Sequence, residues 1–176
     1  MIKLTPLTGH HDRKVFDCGV EALNTWLKQT ALQHQNKGIS RTFVAIPSDE
    51  QMLKQYQCLG YNDVESQSIL GFYSLASAFV LLNDLPTEFS NRYPRQIPVT
   101  RLGRLAIRSD MQGQGLGKLL LADALNRAQS AAQAVGSAGL FVDAKDDKSV
   151  QFYQRFGFIV CSDQPLKLFL PMRQLF

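Results

Sequence analysis

Asp110-Met111-Gln112-Gly113-Gln114-Gly115-Leu116-Gly117-Lys118 is the stretch whose reading decides the fold. It follows the apolar run Val99-Thr100-Arg101-Leu102-Gly103-Arg104-Leu105-Ala106-Ile107, which reads as a strand. It opens a long helical pattern from Gly115 to Val135. Three alternating glycines between a strand and a helix make an anion cradle. Glycine lets the backbone approach a phosphate closely, and the first N–H groups of a helix point at it. A Walker loop is excluded, because Leu119 stands where Ser or Thr is needed. The dinucleotide fingerprint needs GxGxxG, and the spacing here is GxGxG.

The helix that follows carries an apolar stripe of Leu116, Leu120, Ala124, Ala128, Ala131 and Val135. Leu121, Leu125 and Ala132 widen it. Gly136 stands where a helix ends, and residues 139–144 read as the next strand. A helix joining two apolar strands suits a crossover unit within one sheet. Downstream, 147–156 reads as a short helix closed by Gly157, and 158–170 holds two further short strands.

Upstream, 17–36 reads as one helix capped by Asp17 and ended at Lys37-Gly38. Val20, Leu23, Leu27, Ala31 and His34 share its inner face, with Trp26 beside it. Residues 42–46 form a strand stopped by Pro47. The polar stretch 48–67 reads as a surface loop or a short helix around Met52–Leu59. Ile69 to Leu82 begins as a strand, and Pro86, Pro94 and Pro98 punctuate the link that follows. Strands alternating with helices define an α/β fold, and no linker divides residues 1–176, so a single domain is expected.

Composition narrows the function classes. A hydrophobic fraction of 45% suits a globular core, and no apolar run approaches the roughly 18 residues of a spanning helix. No signal-peptide core follows Met1, so a cytoplasmic protein away from the membrane is expected. Cys18, Cys58 and Cys161 are far apart and make no CxxC pair. They are read as reduced thiols, with no metal site. The net charge of +4 favours an anionic partner, either a phosphorylated cofactor or RNA. Arg92, Arg95, Arg101, Arg104 and Arg108 collect in one part of the sequence, and a solvated basic face explains them as well.

Gln112-x-x-Gly115-x-Gly117 resembles motif A of the GNAT acetyltransferases, whose loop binds the pyrophosphate of coenzyme A. Val150-Gln151-Phe152-Tyr153-Gln154-Arg155-Phe156-Gly157-Phe158 resembles motif B, with Val150 in place of the usual small residue. Phe16-Asp17-Cys18-Gly19, Leu23-Asn24-x-Trp26-Leu27, Gly38-x-x-Arg41-Thr42-Phe43-Val44, Gly71-Phe72-Tyr73-Ser74-Leu75-Ala76 and Arg104-Leu105-Ala106-Ile107 are similar to one subgroup. That subgroup holds the toxins of bacterial toxin–antitoxin pairs that acetylate aminoacyl-tRNA. The stretch 48–67 is longer than is usual there.

The resemblance implies a mixed central sheet, flanked by helices and splayed at the acetyl-CoA site between 99–107 and 139–144. It implies that the backbone of Leu105, Ala106 and Ile107 pairs with the pantetheine arm. Gln112, Gly113, Gln114, Gly115, Leu116, Gly117 and Lys118 would hold the pyrophosphate. Tyr153 would be the acid that protonates the leaving thiolate, although its neighbours Phe152, Phe156 and Phe158 also suit plain core. Arg41, Arg92 and Arg95 are the candidates for substrate RNA. The implied activity is acetyl transfer to the α-amine of aminoacyl-tRNA, which blocks translation. A ribbon-helix-helix antitoxin is the implied partner, and a homodimer is compatible with it. The alternatives are acetylation of a protein N-terminus or small amine, and a binding module that senses acyl-CoA without turnover.

Overall fold

The computed structural model describes residues 1–172; the last four residues of the expected 1–176 domain lie outside the described residues. The elements run β1 (Ile2–Pro6), α1 (Glu21–Gln29), α2 (Ala31–Asn36), β2 (Arg41–Pro47), α3 (Glu50–Cys58), β3 (Gly71–Leu81), β4 (Gln96–Ile107), α4 (Leu116–Val135), β5 (Gly139–Asp143), α5 (Asp147–Gln154), β6 (Ile159–Cys161) and β7 (Gln164–Pro171). The seven strands lie in the order β1-β2-β3-β4-β5-β7-β6. β1 with β2, β5 with β7 and β6 with β7 are antiparallel, whereas β4 and β5 are parallel. This is the mixed sheet that the resemblance implies, and α4 joins the two parallel strands β4 and β5, as the crossover reading expects.

The chain forms two compact units, and β3, β4 and α4 contribute to both. The first comprises Met1–Ser74 and Arg104–Asp123. Its core gathers Leu7, Phe16, Trp26, Leu27, Val44, Ile69, Phe72 and Ala106. Phe72 stacks on Trp26 with ring centroids 6.0 Å apart, and Phe16 meets Phe72 edge-on at 5.4 Å. Such aromatic pairs contribute about 0.5–1.5 kcal/mol beyond their burial.

The second unit comprises Leu75–Gly103 and Ala124–Phe176. Val80, Phe89, Ile97, Val99, Phe141 and Phe169 fill its core. β5 approaches β7 very closely at Gly139. A Cβ there would stand 2.3 Å from the Leu170 carbonyl oxygen and 2.6 Å from the Phe169 ring. The parallel pairing of β4 with β5 is recorded at Thr100–Leu102 against Leu140–Val142, three residues of a twelve-residue strand.

Several expectations need correction. The helix expected over 17–36 is two helices, separated at Thr30, where φ is −116°. Asp17 does not cap it. Gly19 turns the chain with φ +82°, so α1 starts after Val20. The Asp17 carboxylate instead accepts from the Gly19 N–H and from Asn24 Nδ2. The expected stop at Lys37-Gly38 is present, with φ +71° at the glycine. Of the stripe on α4, Leu116, Leu120, Ala124 and Ala128 are buried, but Ala131 is exposed and Val135 is 85% exposed. The 3.6-residue turn carries the inner face on to the half-buried Ala132, and the final turn faces outward. The stretch 48–67 carries the short helix, α3, which Asp49 caps by accepting from the Met52 N–H at 2.8 Å.

Candidate functional site

The glycine loop belongs to the first unit. One 3-10 turn, Ser109–Met111, leads into it from β4. Gly113 and Gly115 have φ of +77° and +86°. Side chains rarely adopt this left-handed region, so glycine is required by the backbone itself. An added Cβ at either position would meet nothing within 4 Å. The space beside these glycines is therefore open to an incoming group. Gln112, Gly113, Gln114, Gly115 and Lys118 are exposed, Gly117 is half-buried, and Leu116 is buried. The buried Leu116 anchors the start of the helix, and the residues before it are exposed.

α4 has no acidic residue in its first turn. Its earliest helical bond runs from the Leu119 N–H to the Gly115 carbonyl. The N–H groups before it carry the positive end of the helix dipole, with no acidic residue in the first turn to neutralise it. These features fit a pyrophosphate, which brings negative charge and many acceptor oxygens.

The loop is braced by residues distant in sequence. Gln112 Nε2 donates to the carbonyls of Cys18 and Ile107, both at 3.1 Å. The Ser109 N–H donates to the Asp17 carbonyl at 2.9 Å. Arg108 holds Asp110 and Asp63, with its side chain only 11% exposed. Tyr61 Oη donates to the Asp110 carbonyl and accepts from Gln114 Nε2. The amides of Gln112 and Gln114 are engaged around the loop itself, with the Cys18 and Ile107 carbonyls and with Tyr61. Arg108 holds Asp110 well below the usual carboxylate range, first by hydrogen bonding and then by charge.

Leu105, Ala106 and Ile107 end β4 just before this loop. Ala106 is buried, and its flanking residues are half-buried. On one side, Gly71 of β3 comes so close that a Cβ there would lie 3.0 Å from the Ala106 carbonyl and 2.9 Å from Ile107 Cδ1.

Tyr153 belongs to the second unit and lies on α5. Asp146 caps this helix by accepting from the Ser149 N–H at 2.8 Å. Tyr153 is 6% exposed, with Phe152 and Phe158 edge-on to its ring at 5.2 and 5.4 Å. No hydrogen bond to its hydroxyl occurs among the described residues. Burial among aromatic rings pushes its pKa well above the ordinary phenol value. The residue is therefore core by packing and carries a tightly held proton.

The arginines do not form one solvated face. Arg101 pairs with Asp143 at 2.8 Å. Arg104 lays its guanidinium over the Trp26 ring, 4.1 Å from the centroid, and is half-buried. Arg108 is committed to its two aspartates. Arg92 and Arg95, in the second unit before β4, are exposed, as is Arg41 at the start of β2 in the first. The polar stretch 48–67 brought no site residue to notice in the sequence, yet it supplies Tyr61 and Asp63. Only the Gly60 turn signal marks that place in the sequence, and it says nothing about a partner 49 positions away.

An open glycine-built turn that follows a central strand and starts a long helix, which leads on to a strand parallel to the first, describes an acyl-CoA acyltransferase architecture. The family described as acetyltransferase (GNAT) domain matches residues 91–173. A tRNA-acetylating toxin from Mycobacterium tuberculosis is 33% identical over 158 residues, covering 90% of this chain and 84% of the relative. The chain belongs to the GNAT acetyltransferase family. Among solved structures, AtaT complexed with acetyl-methionyl-tRNAfMet is similar, with a TM-score of 0.84 and 31% identity. That match covers 99% of this chain and 97% of AtaT. A mutant AtaT toxin bound to acetyl-CoA and to the C-terminus of the antitoxin AtaR is also similar. Its TM-score is 0.77 at 30% identity, covering 99% and 95% of the two chains. No helix among the described residues is long and apolar enough to cross a membrane. None of them form a cluster of His, Cys, Asp or Glu suited to a metal.

Proposed function

We propose that this chain acetylates the α-amino group of aminoacyl-tRNA, using acetyl-CoA, and that it is the toxin of a toxin–antitoxin pair. The observation that carries the cofactor is the open loop, where positive φ at Gly113 and Gly115 leaves room beside a helix start with no acidic residue in its first turn. The acceptor is supported by the tRNA-acetylating toxin that is 33% identical to this chain over 158 residues, and by AtaT in complex with acetyl-methionyl-tRNAfMet. The bound antitoxin of AtaT supports a similar partner here. A charged-tRNA substrate also supports a cytoplasmic site of action.

Acetyl-CoA supplies an acetyl thioester. The backbone N–H groups of Gly113, Gly115, Gly117 and Lys118 grip the pyrophosphate, and Lys118 adds charge. The backbone of Leu105–Ile107 lines the pantetheine arm. The attacking α-amine titrates at about 7.7–8.0, so a useful fraction is neutral at physiological pH, and water accepts its second proton. Tyr153 gives its hydroxyl proton to the sulfur as the thioester bond breaks. Its raised pKa keeps that proton in place until negative charge develops nearby. Arg41, Arg92 and Arg95 contact RNA phosphates, which makes activity salt-sensitive.

The test is incubation of the purified protein with labelled acetyl-CoA and a pool of charged tRNA. Label on the aminoacyl group, falling steeply as salt rises, is expected. Labelling of polyamines or a protein N-terminus with none on aminoacyl-tRNA would replace this acceptor with the other amine.

A further inference from the structure

We infer that Tyr61 is a positioning residue for the cofactor loop, and that the segment Tyr61–Asp63 sets the affinity for acetyl-CoA. The inference rests on the reading of Gly113–Lys118 as the acetyl-CoA site. The Tyr61 hydroxyl bridges the loop: it donates to the Asp110 carbonyl at 3.1 Å on one limb and accepts from Gln114 Nε2 at 2.9 Å on the other. Gly113 lies between those two contacts. Two residues further on, Asp63 accepts from Arg108 Nη2 at 3.1 and 3.3 Å, and Arg108 Nε donates to Asp110 Oδ1 at 2.8 Å. One short segment thus holds the entrance of the loop, its middle and the arginine behind it.

Tyr61 is itself fixed from the rear. Its ring meets Tyr56 edge-on at 5.8 Å, and its N–H donates to the Tyr56 carbonyl as α3 ends. The Val64 N–H donates back to the Tyr61 carbonyl, and Val64 is fully buried. The brace is therefore rigid, and the element it braces is soft. A loop with glycines at positions 113, 115 and 117 has many unbound conformations, and ordering it on binding costs entropy. Ties made before the ligand arrives remove part of that cost. The residues that make these ties come from the polar stretch, outside both sequence motifs.

Tyr61→Phe keeps the ring against Tyr56 and removes only the hydroxyl. The expected result is an acetyl-CoA dissociation constant and KM raised about tenfold, as for loss of one or two net hydrogen bonds. The kcat at saturating acetyl-CoA should stay within about twofold, which general loosening of the structure would not reproduce. Asp63→Asn leaves Tyr61 in place and weakens only the Arg108 clasp. It should move affinity the same way by a smaller factor, and it decides the matter if Tyr61→Phe fails to fold. Calorimetry on wild type and Gly115→Glu in the same series separates the two readings. No binding by wild type sinks the site itself. Binding by wild type, none by Gly115→Glu and wild-type affinity in both brace variants sinks this inference alone.

Discussion

The starts of α4 and α5 meet the same electrostatic problem in opposite ways. α5 satisfies itself: Asp146 accepts from the Ser149 N–H, and Asp147 adds a second carboxylate in the first turn. α4 has no acid in its first turn and begins after a glycine that has no side chain to fold back. Free N–H groups at a helix start attract negative charge wherever it comes from. At α5 the chain provides that charge, and at α4 it leaves the place open. On the function proposed above, the difference would separate a helix that positions a side chain from one whose end takes the cofactor. The surroundings agree, since the α4 loop is exposed and Tyr153 is buried among aromatic rings.

The largest test of this contrast is Gly115→Glu. It gives α4 its own carboxylate and places bulk where now nothing lies within 4 Å. Acetyl-CoA binding should be lost. The left-handed φ adds strain of about 1–2 kcal/mol, which a domain of this size survives. Calorimetry on the folded variant checks the loss, and unchanged affinity would erase the distinction between the two starts.

Tyr153→Phe addresses the other helix. If α5 serves chemistry rather than grip, kcat should drop by roughly 10²–10⁴-fold. The acetyl-CoA dissociation constant should barely move. A near-normal kcat would return Tyr153 to the aromatic core and nothing more. A large loss of affinity would make α5 a binding element like α4.

The smallest effect concerns the cap of α5. Asp146→Ala should lower the melting temperature slightly at pH 7. The Ser149 N–H, then the Ser149 hydroxyl, hold the Asp146 carboxyl below its ordinary pKa. A depressed carboxyl contributes stability above the unfolded value, near 3.9, and that stability is lost as pH falls through the lower folded value. The gap between variant and wild type should therefore close in acid. Thermal melts from pH 7 down to pH 2 would show it, and a gap that persists there would mean that the carboxylate is not the cap.

Much of this was legible before any coordinates. The loop, the starts of α4 and α5, and the strands on either side of α4 follow from glycine placement and apolar periodicity, which are local signals. β1 escaped notice because Ile2-Lys3-Leu4-Thr5-Pro6 is short, and its pairing partner β2 begins 35 positions further on. The split at Thr30 was hidden because Leu27 and Ala31 keep helical spacing across it. At the site, the glycines could be read but their supports could not. Gln112 reaches a carbonyl 94 positions away, and Tyr61 one 49 positions away. A glutamine in a binding motif looks like a ligand contact, and periodicity says nothing of a side chain spent on holding the loop. Likewise, Arg101, Arg104 and Arg108 add the same charge to a sequence whether they face solvent, a tryptophan or an aspartate.

The placement of Trp26 has a spectroscopic consequence. It is the chain's single tryptophan, and it lies 8% exposed in the first unit, in contact with Phe72 and the Arg104 guanidinium. Its emission should be blue-shifted and shielded from aqueous quenchers. Fluorescence will therefore follow the unfolding of the unit that carries the glycine loop and remain blind to the unit that carries Tyr153. Excited alongside a backbone circular-dichroism melt, this one indole shows whether the two units lose their structure together or in sequence.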